Sequence, residues 1–196
     1  MMDLKKRIAI FASGSGSNAQ KIMEHFKKHN DAEVAIVLTN NPEAYVLQRA
    51  DNFEVPSHIF TRQEFYQTDS VIQLLKNLQV DIIVLAGFLW LIPQNLLKAY
   101  PNKIINLHPA LLPKYGGKGM YGDRVHQAIL QAGDTESGIT IHFVNEHFDE
   151  GEIIHQSRFH IEKGDDLEMV KFKGQQLEHV HYPKIIEQLL KKMREI

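Results

Sequence analysis

Short apolar runs alternate with amphipathic stretches along most of this chain. Arg7 to Ala12 reads RIAIFA and is closed by a Ser/Gly turn, after which Ala19, Ile22, Met23 and Phe26 recur at helical spacing. A strand followed by a helix is expected, and the pattern repeats. VAIVLT precedes a helix near Glu43 to Asp51, SHIF one from about Arg62 to Leu78, and DIIVLAG a short one near Gln94 to Tyr100, with KIINLH following. Continuous apolar strands separated by helices predict a parallel sheet covered on both faces, here of five strands.

After about residue 135 the pattern changes. SGITIHFV and EIIHQSRFHI alternate partially and are joined by the polar turn NEHFDEG rather than by a helix, which predicts an antiparallel hairpin at the sheet edge. Asp166 to Met193 is helical in pattern, with Leu167, Val170, Leu177 and Val180 periodic and Pro183 allowing a kink or a restart. Residues 108–122, rich in Pro and Gly, form one long loop, and long loops in compact domains tend to be functional. The expected class is α/β: a Rossmann-like, mostly parallel sheet with helices on both faces and an antiparallel edge hairpin.

Composition narrows this further. With 196 residues and 43% hydrophobic content, a single domain with a sizeable core is expected. A formal charge of −2 gives no electrostatic footprint for nucleic acid, and the absence of cysteine excludes a disulfide scaffold and thiolate metal sites. Lys5, Lys6 and Arg7 precede an apolar run, but Ile8 to Ala12 is shorter than the roughly 7 to 15 residues of a signal-peptide core. No window approaches a membrane span. A soluble, cytoplasmic protein is expected, with no membrane and no nucleic-acid partner.

The chemistry concentrates in IINLHPALLPK, residues 104–114. Side chains two apart on a strand share a face, so Asn106 and His108 look toward a common point. Pro109 pushes His108 toward extended geometry at the strand's last position. A donor amide beside a titratable ring suits a reaction in which an oxyanion forms while a proton moves. The plainer alternative is a capped strand end, with both side chains satisfying loop carbonyls.

Two further segments join that pair. In SGSGSN, Ser13 to Asn18, Gly14 and Gly16 let the backbone approach a ligand, and the amides opening the next helix make an anion site with Ser17 or Asn18 as cap. Gly14, Gly16 and Ala19 also satisfy the dinucleotide pattern G-x-G-x-x-A, but LTNNPE lacks the ribose-binding acid that this reading needs, so a simple phosphate is favoured. In NEHFDEG, Asp149 could reach His108 and raise its pKa by favouring the charged ring. His142, His147, His155, His160, His179 and His181 lack H-x-x-x-H or H-E-x-x-H spacing, and no metal is expected. LAGFLWLIP, Leu85 to Pro93, reads as either the end of a core strand or the wall of a pocket for a flat ring.

Taken in order, GSGSN, Arg62 after the third strand, DIIVLAGF, INLHPALLPKY, GITIHFV, the turn with Asp149, and Glu178 before His-Val-His-Tyr-Pro resemble the glycinamide ribonucleotide formyltransferases, folate-dependent enzymes of purine biosynthesis. The resemblance covers nearly the whole chain, and it implies a formyltransferase fold and specific roles. Gly16, Ser17 and Asn18 would hold the ribonucleotide phosphate, and Glu178 would engage the glycinamide amine. Asn106, His108 and Asp149 would be catalytic, while Arg62 and Leu89, Trp90, Leu91 and Ile92 would line the folate pocket. The co-substrate implied is 10-formyltetrahydrofolate, with no metal, and the protein would be a monomer or a homodimer. A single domain over 1–196 would divide into a phosphate-binding half, 1–100, and a catalytic and folate-binding half, 101–196.

Departures from the family pattern fall at two places. Many relatives carry Met-Arg-Ile-Leu where this chain has Leu89 to Ile92, and the usual short Pro-Gly-Leu-His segment is replaced by the longer Gly116 to Ile129. Methionyl-tRNA formyltransferase and formyltetrahydrofolate deformylase share the Asn, His and Asp arrangement. Both usually carry an extra domain, for which no room is expected here. Two competing expectations are a sugar-nucleotide formyltransferase and a noncatalytic folate or nucleotide binding module.

Overall fold

In the computed structural model, which describes residues 5–194, seven strands form one sheet: β1 (Lys6–Phe11), β2 (Ala32–Thr39), β3 (Ser57–Ile59), β4 (Ile82–Leu85), β5 (Ile104–His108), β6 (Glu136–Phe143) and β7 (Ile153–His160). Their spatial order is β3-β2-β1-β4-β5-β6-β7. The first five are parallel, as the apolar runs predict. β6 runs antiparallel to β5 and pairs with β7 as the edge hairpin. The helices are α1 (Ser17–Phe26), α2 (Val46–Asn52), α3 (Arg62–Gln67), α4 (Ser70–Asn77), α5 (Gln94–Ala99), α6 (Asp123–Ala132) and α7 (Leu167–Lys192). The first four and last two positions of the expected 1–196 domain lie outside the described residues.

Strand alternation builds two cores. Ile8 and Ile10 of β1 join Val84, Ile105 and the apolar faces of α1, α2 and α7, whereas Ala9 and Phe11 face the opposite side with Ile83, Leu85, Phe65 and Leu75. Both faces of the central strands are therefore dry, which is why these strands read as unbroken apolar runs. A smaller cluster of Ala110, Val125, Ile129, Ile161 and Val170 seats α6 against α7.

One expectation about helices is corrected, one helix is added and one alternative is narrowed. The single helix over 62–78 is two, because Thr68 is extended (φ −132°, ψ 169°). Its hydroxyl donates to the Glu64 carbonyl and accepts from the Ser70 amide, local bonds that compete with helix continuation. Helix α6 was not foreseen, although Val125 and Ile129 have helical spacing and Gly133 ends it in left-handed geometry. Helix α7 neither stops nor restarts at the buried Pro183. One residue earlier the buried Tyr182 hydroxyl lies 2.9 Å from the Leu85 carbonyl and 3.3 Å from that of Ile105, which ties α7 to the ends of β4 and β5.

Strand order reverses between β1 and β4. In open α/β sheets the crevice beyond the carboxyl ends of the strands at such a point is where ligands bind. Here the segments following β1, β4 and β5 all emerge at that crevice.

Candidate active site

A cavity of about 470 Å³ occupies this crevice. Its wall includes Asn18 from α1, Leu89 to Ile92 beyond β4, Asn106 and His108 from β5, Asp149 from the β6–β7 turn and Glu178 from α7. Nine of the twelve residues proposed from sequence thus meet in one space, and the loop Gly117 to Gly122 closes another side.

Asn106 sits opposite His142 in the β5–β6 ladder. Its amide nitrogen donates to His142 Nε2 at 3.1 Å and lies 3.4 Å from Asp149 Oδ1. His142 Nδ1 lies 2.8 Å from the Phe143 carbonyl, which can only accept, so that nitrogen carries the proton and Nε2 is free to accept from Asn106. An oxyanion-stabilising Asn106 is expected to have its donors open to substrate. The structure turns both inward, and the longer bond to Asp149 is the weaker one to exchange for a substrate oxygen.

His108 is 3% exposed. Its Nε2 lies 2.8 Å from the Tyr115 carbonyl and must donate to it, which leaves Nδ1 facing Asp149 Oδ2 at 3.4 Å. The expected upward pull of the carboxylate is present but loses. Burial dominates and lowers the pKa of the ring, against the raising effects of Asp149 and the Tyr115 carbonyl. Nδ1 is turned to a carboxylate, so a proton at that nitrogen is met by a counter-charge while burial disfavours the charged ring.

For Asp149, burial favours the protonated acid, but the neighbouring His142 and His108 rings and the Gly117 amide together hold the carboxyl below its usual range. The Gly117 amide donates to Oδ2 at 3.0 Å. Asp149 itself is left-handed (φ 58°), a conformation that Asp and Asn tolerate better than most residues. The turn that presents it passes so close to β6 that a Cβ on Gly151 would overlap the Phe143 carbonyl oxygen. Only glycine fits there.

The N-cap of α1 is Gly16, not Ser17 or Asn18, and it makes no side-chain cap bond; of these three residues Asn18 is on the cavity wall and the other two are not. Gly16 is left-handed (φ 72°), and a Cβ would meet Val46 Cγ2 at 2.5 Å. The first-turn amides are left without side-chain capping, as an anion site requires. The Ser17 hydroxyl is 3.4 Å from Gln175 Nε2. Asn18 is drawn sideways: its Nδ2 donates to Glu178 Oε2 at 2.6 Å, while its buried Oδ1 has no partner. Burial raises the Glu178 carboxyl, and the Asn18 bond offsets this in part.

The proposed folate residues divide. Trp90 lines the cavity and also packs against Phe60, Phe65, Tyr66 and Phe88 at centroid distances of 5.8 to 6.4 Å. LAGFLWLIP is thus both core edge and pocket wall. Ile92 is 3% exposed and belongs mainly to the core. Arg62 stands outside the cavity wall, its guanidinium 4.9 Å from the Tyr66 ring centroid and 5.5 Å from that of Trp90.

Three site groups are not among those expected from the sequence: the His142 ring, the Tyr115 carbonyl and the Gly117 amide. A signal existed for the first: alternation in ITIHF puts Thr140 and His142 on one face, opposite His108 and Asn106. Nor are His25 and His29, whose separation is the H-x-x-x-H spacing not found among the other histidines.

Residues 6–186 match the Formyl transferase family. The chain is 40% identical over 190 residues to the phosphoribosylglycinamide formyltransferase of Bacillus subtilis, covering 94% of this chain and 95% of that protein. It is 36% identical to the Haemophilus influenzae protein of the same name, over 93% of this chain and 86% of that one. Among solved structures, the phosphoribosylglycinamide formyltransferase of Bacillus halodurans superposes with a TM-score of 0.85 at 38% identity, covering 96% of this chain and 97% of that one. Glycinamide ribonucleotide transformylase 1 of Geobacillus kaustophilus gives 0.86 at 37% identity, covering 95% and 100%.

Proposed function

The chain belongs to the Formyl transferase family, and from that premise we propose that it transfers the formyl group of 10-formyltetrahydrofolate to the amine of glycinamide ribonucleotide in purine biosynthesis. The observation that carries this reading is one cavity whose wall holds Asn18 and Glu178 together with Asn106, His108 and Asp149. An acceptor and a one-carbon donor meet there without leaving shared walls. We take the whole chain as one functional unit. The acceptor candidates come from both halves, Gly16 to Asn18 before residue 100 and Glu178 after it, and the folate candidates Arg62 and Leu89 to Ile92 all precede residue 100, outside the half expected to bind folate.

In this reading the uncapped amides of Gly16 to Asn18 hold the ribonucleotide phosphate, and the Asn18 Oδ1 and Glu178 carboxylate accept from the glycinamide amine. Trp90 and its neighbours seat the folate ring, with Arg62 behind them. The amine attacks the formyl carbon, forming a C–N bond and an oxyanion. Asn106 exchanges its long bond to Asp149 for that oxyanion, a contribution on the order of 3 kcal/mol by analogy with other oxyanion donors. His108 takes the amine proton at Nδ1, where Asp149 stabilises the imidazolium, and the new positive charge further stabilises the oxyanion. Collapse breaks the bond to the folate nitrogen, which receives the proton. No step calls on a metal.

The cytoplasm is the compartment we assign. No helix among the described residues is long and apolar enough to cross a membrane, and the chain has no cysteine. The test mixes purified protein with glycinamide ribonucleotide and 10-formyltetrahydrofolate and follows the folate absorbance. Turnover that needs the ribonucleotide is expected. Folate release without it would make the protein a hydrolase, and binding without turnover would make it a module.

A further inference from the structure

The far ends of α1 and α7 carry a group of side chains that the proposed reaction does not use. His25 Nε2 and His29 Nε2 both face one oxygen of Glu187, at 2.9 and 3.9 Å, and the three ligand atoms all lie within 4.8 Å of one another. The two imidazoles stack with centroids 4.4 Å apart and planes 26° from parallel, so their nitrogens point the same way. Tetrahedral coordination at about 2.1 Å separates neighbouring ligand atoms by about 3.4 Å, a value between the two observed separations.

We infer that His25, His29 and Glu187 bind one divalent transition-metal ion of the zinc class, clamping the end of α1 to α7 on the face remote from the cavity. Two imidazoles and one carboxylate are a donor set suited to zinc, and all three side chains are 22 to 32% exposed, which leaves a fourth position for water. Lys191 Nζ holds the other Glu187 oxygen at 2.5 Å, orienting the carboxylate and leaving Oε2 toward the rings. Lys21 is neutralised by Glu24 at 2.7 Å, while Lys28 and Lys184 line the adjacent groove and set the cationic surroundings that the ligands must overcome.

The clamp has a structural consequence. Glu187 lies nine residues beyond Glu178, about 13.5 Å along the same helix, and Asn18 and His25 share α1. The ion would therefore fix the helix pair whose other end is joined by the Asn18–Glu178 bond.

The test uses the full chain without an affinity tag, stripped with chelator and titrated with zinc chloride by calorimetry. Cobalt(II) absorption reports the coordination geometry. One saturable equivalent, a higher thermal midpoint with zinc and a tetrahedral cobalt spectrum are expected. His29→Ala and Glu187→Gln should each weaken binding by about tenfold or more and remove the thermal gain, as loss of one ligand does. His155→Ala combined with His181→Ala should leave binding intact. Wild-type affinity in both ligand variants, or no saturable equivalent in the unaltered protein, would overturn the inference.

Discussion

The surroundings of Asn106 and the start of α1 are built on opposite plans. Around Asn106 the ring nitrogens of His108 and His142, the amide hydrogens of Asn106 and both oxygens of Asp149 all face protein partners. At the start of α1 the cap makes no side-chain bond and the buried Asn18 oxygen has no partner. The first region is held mostly by bonds within the protein, with His108 Nδ1 the one atom that gains a partner when it takes a proton. The second has unmet hydrogen-bonding capacity that a ligand can complete. Changes in the first should therefore act on turnover, and changes in the second on acceptor affinity.

The largest effect expected is from Asp149→Asn. Asparagine tolerates the left-handed backbone but removes the counter-charge for His108, so kcat should fall by roughly 10²- to 10⁴-fold with the circular dichroism spectrum unchanged. Near-normal turnover would take Asp149 out of the chemistry. His142→Ala should follow, because Asn106 loses the acceptor that orients it. About a 10- to 100-fold loss in kcat with little change in ribonucleotide KM is expected.

Gly16→Ala tests the other region. The left-handed backbone and the 2.5 Å approach to Val46 Cγ2 should lower stability by about 1–3 kcal/mol and raise ribonucleotide KM while kcat of the folded fraction holds. If kcat fell and KM did not, the division between the two regions would fail.

A pH-rate profile sharpens the same contrast. The proposed reaction needs neutral His108, and burial lowers its pKa, so kcat should be lost as pH falls through a value below the ordinary imidazole value of about 6.5. Asp149 raises that value from where burial alone would set it. In Asp149→Asn the acid limb of the residual activity should therefore move lower still, and an upward move would contradict the assignment. The smallest effect is reserved for Trp90→Leu, which removes ring stacking but keeps apolar contact. A several-fold rise in folate KM, on the order of 1 kcal/mol, is expected by titration against the folate substrate.

Periodicity made much of this readable. Ile8, Ala9, Ile10 and Phe11 announced a strand dry on both faces, and the two-residue spacing of Asn106 and His108 put them on one side of β5 before any fold was known. The break at Thr68 escaped because it depends on which hydroxyl bond wins locally, and α6 escaped because its two buried apolar residues stand among polar ones. His142 escaped because its partner lies on another strand.

By itself, then, the order of residues determined the strands, the helix-opening glycine turn and the shared face of Asn106 and His108. These follow from backbone geometry acting over a few residues. Tertiary structure alone decided that Asp149 reaches β5 from 43 residues away, that Asn18 and Glu178 meet across 160, and that burial lowers the pKa of His108. Proton affinity depends on how much water surrounds a group and which charges converge on it, and only packing sets those quantities.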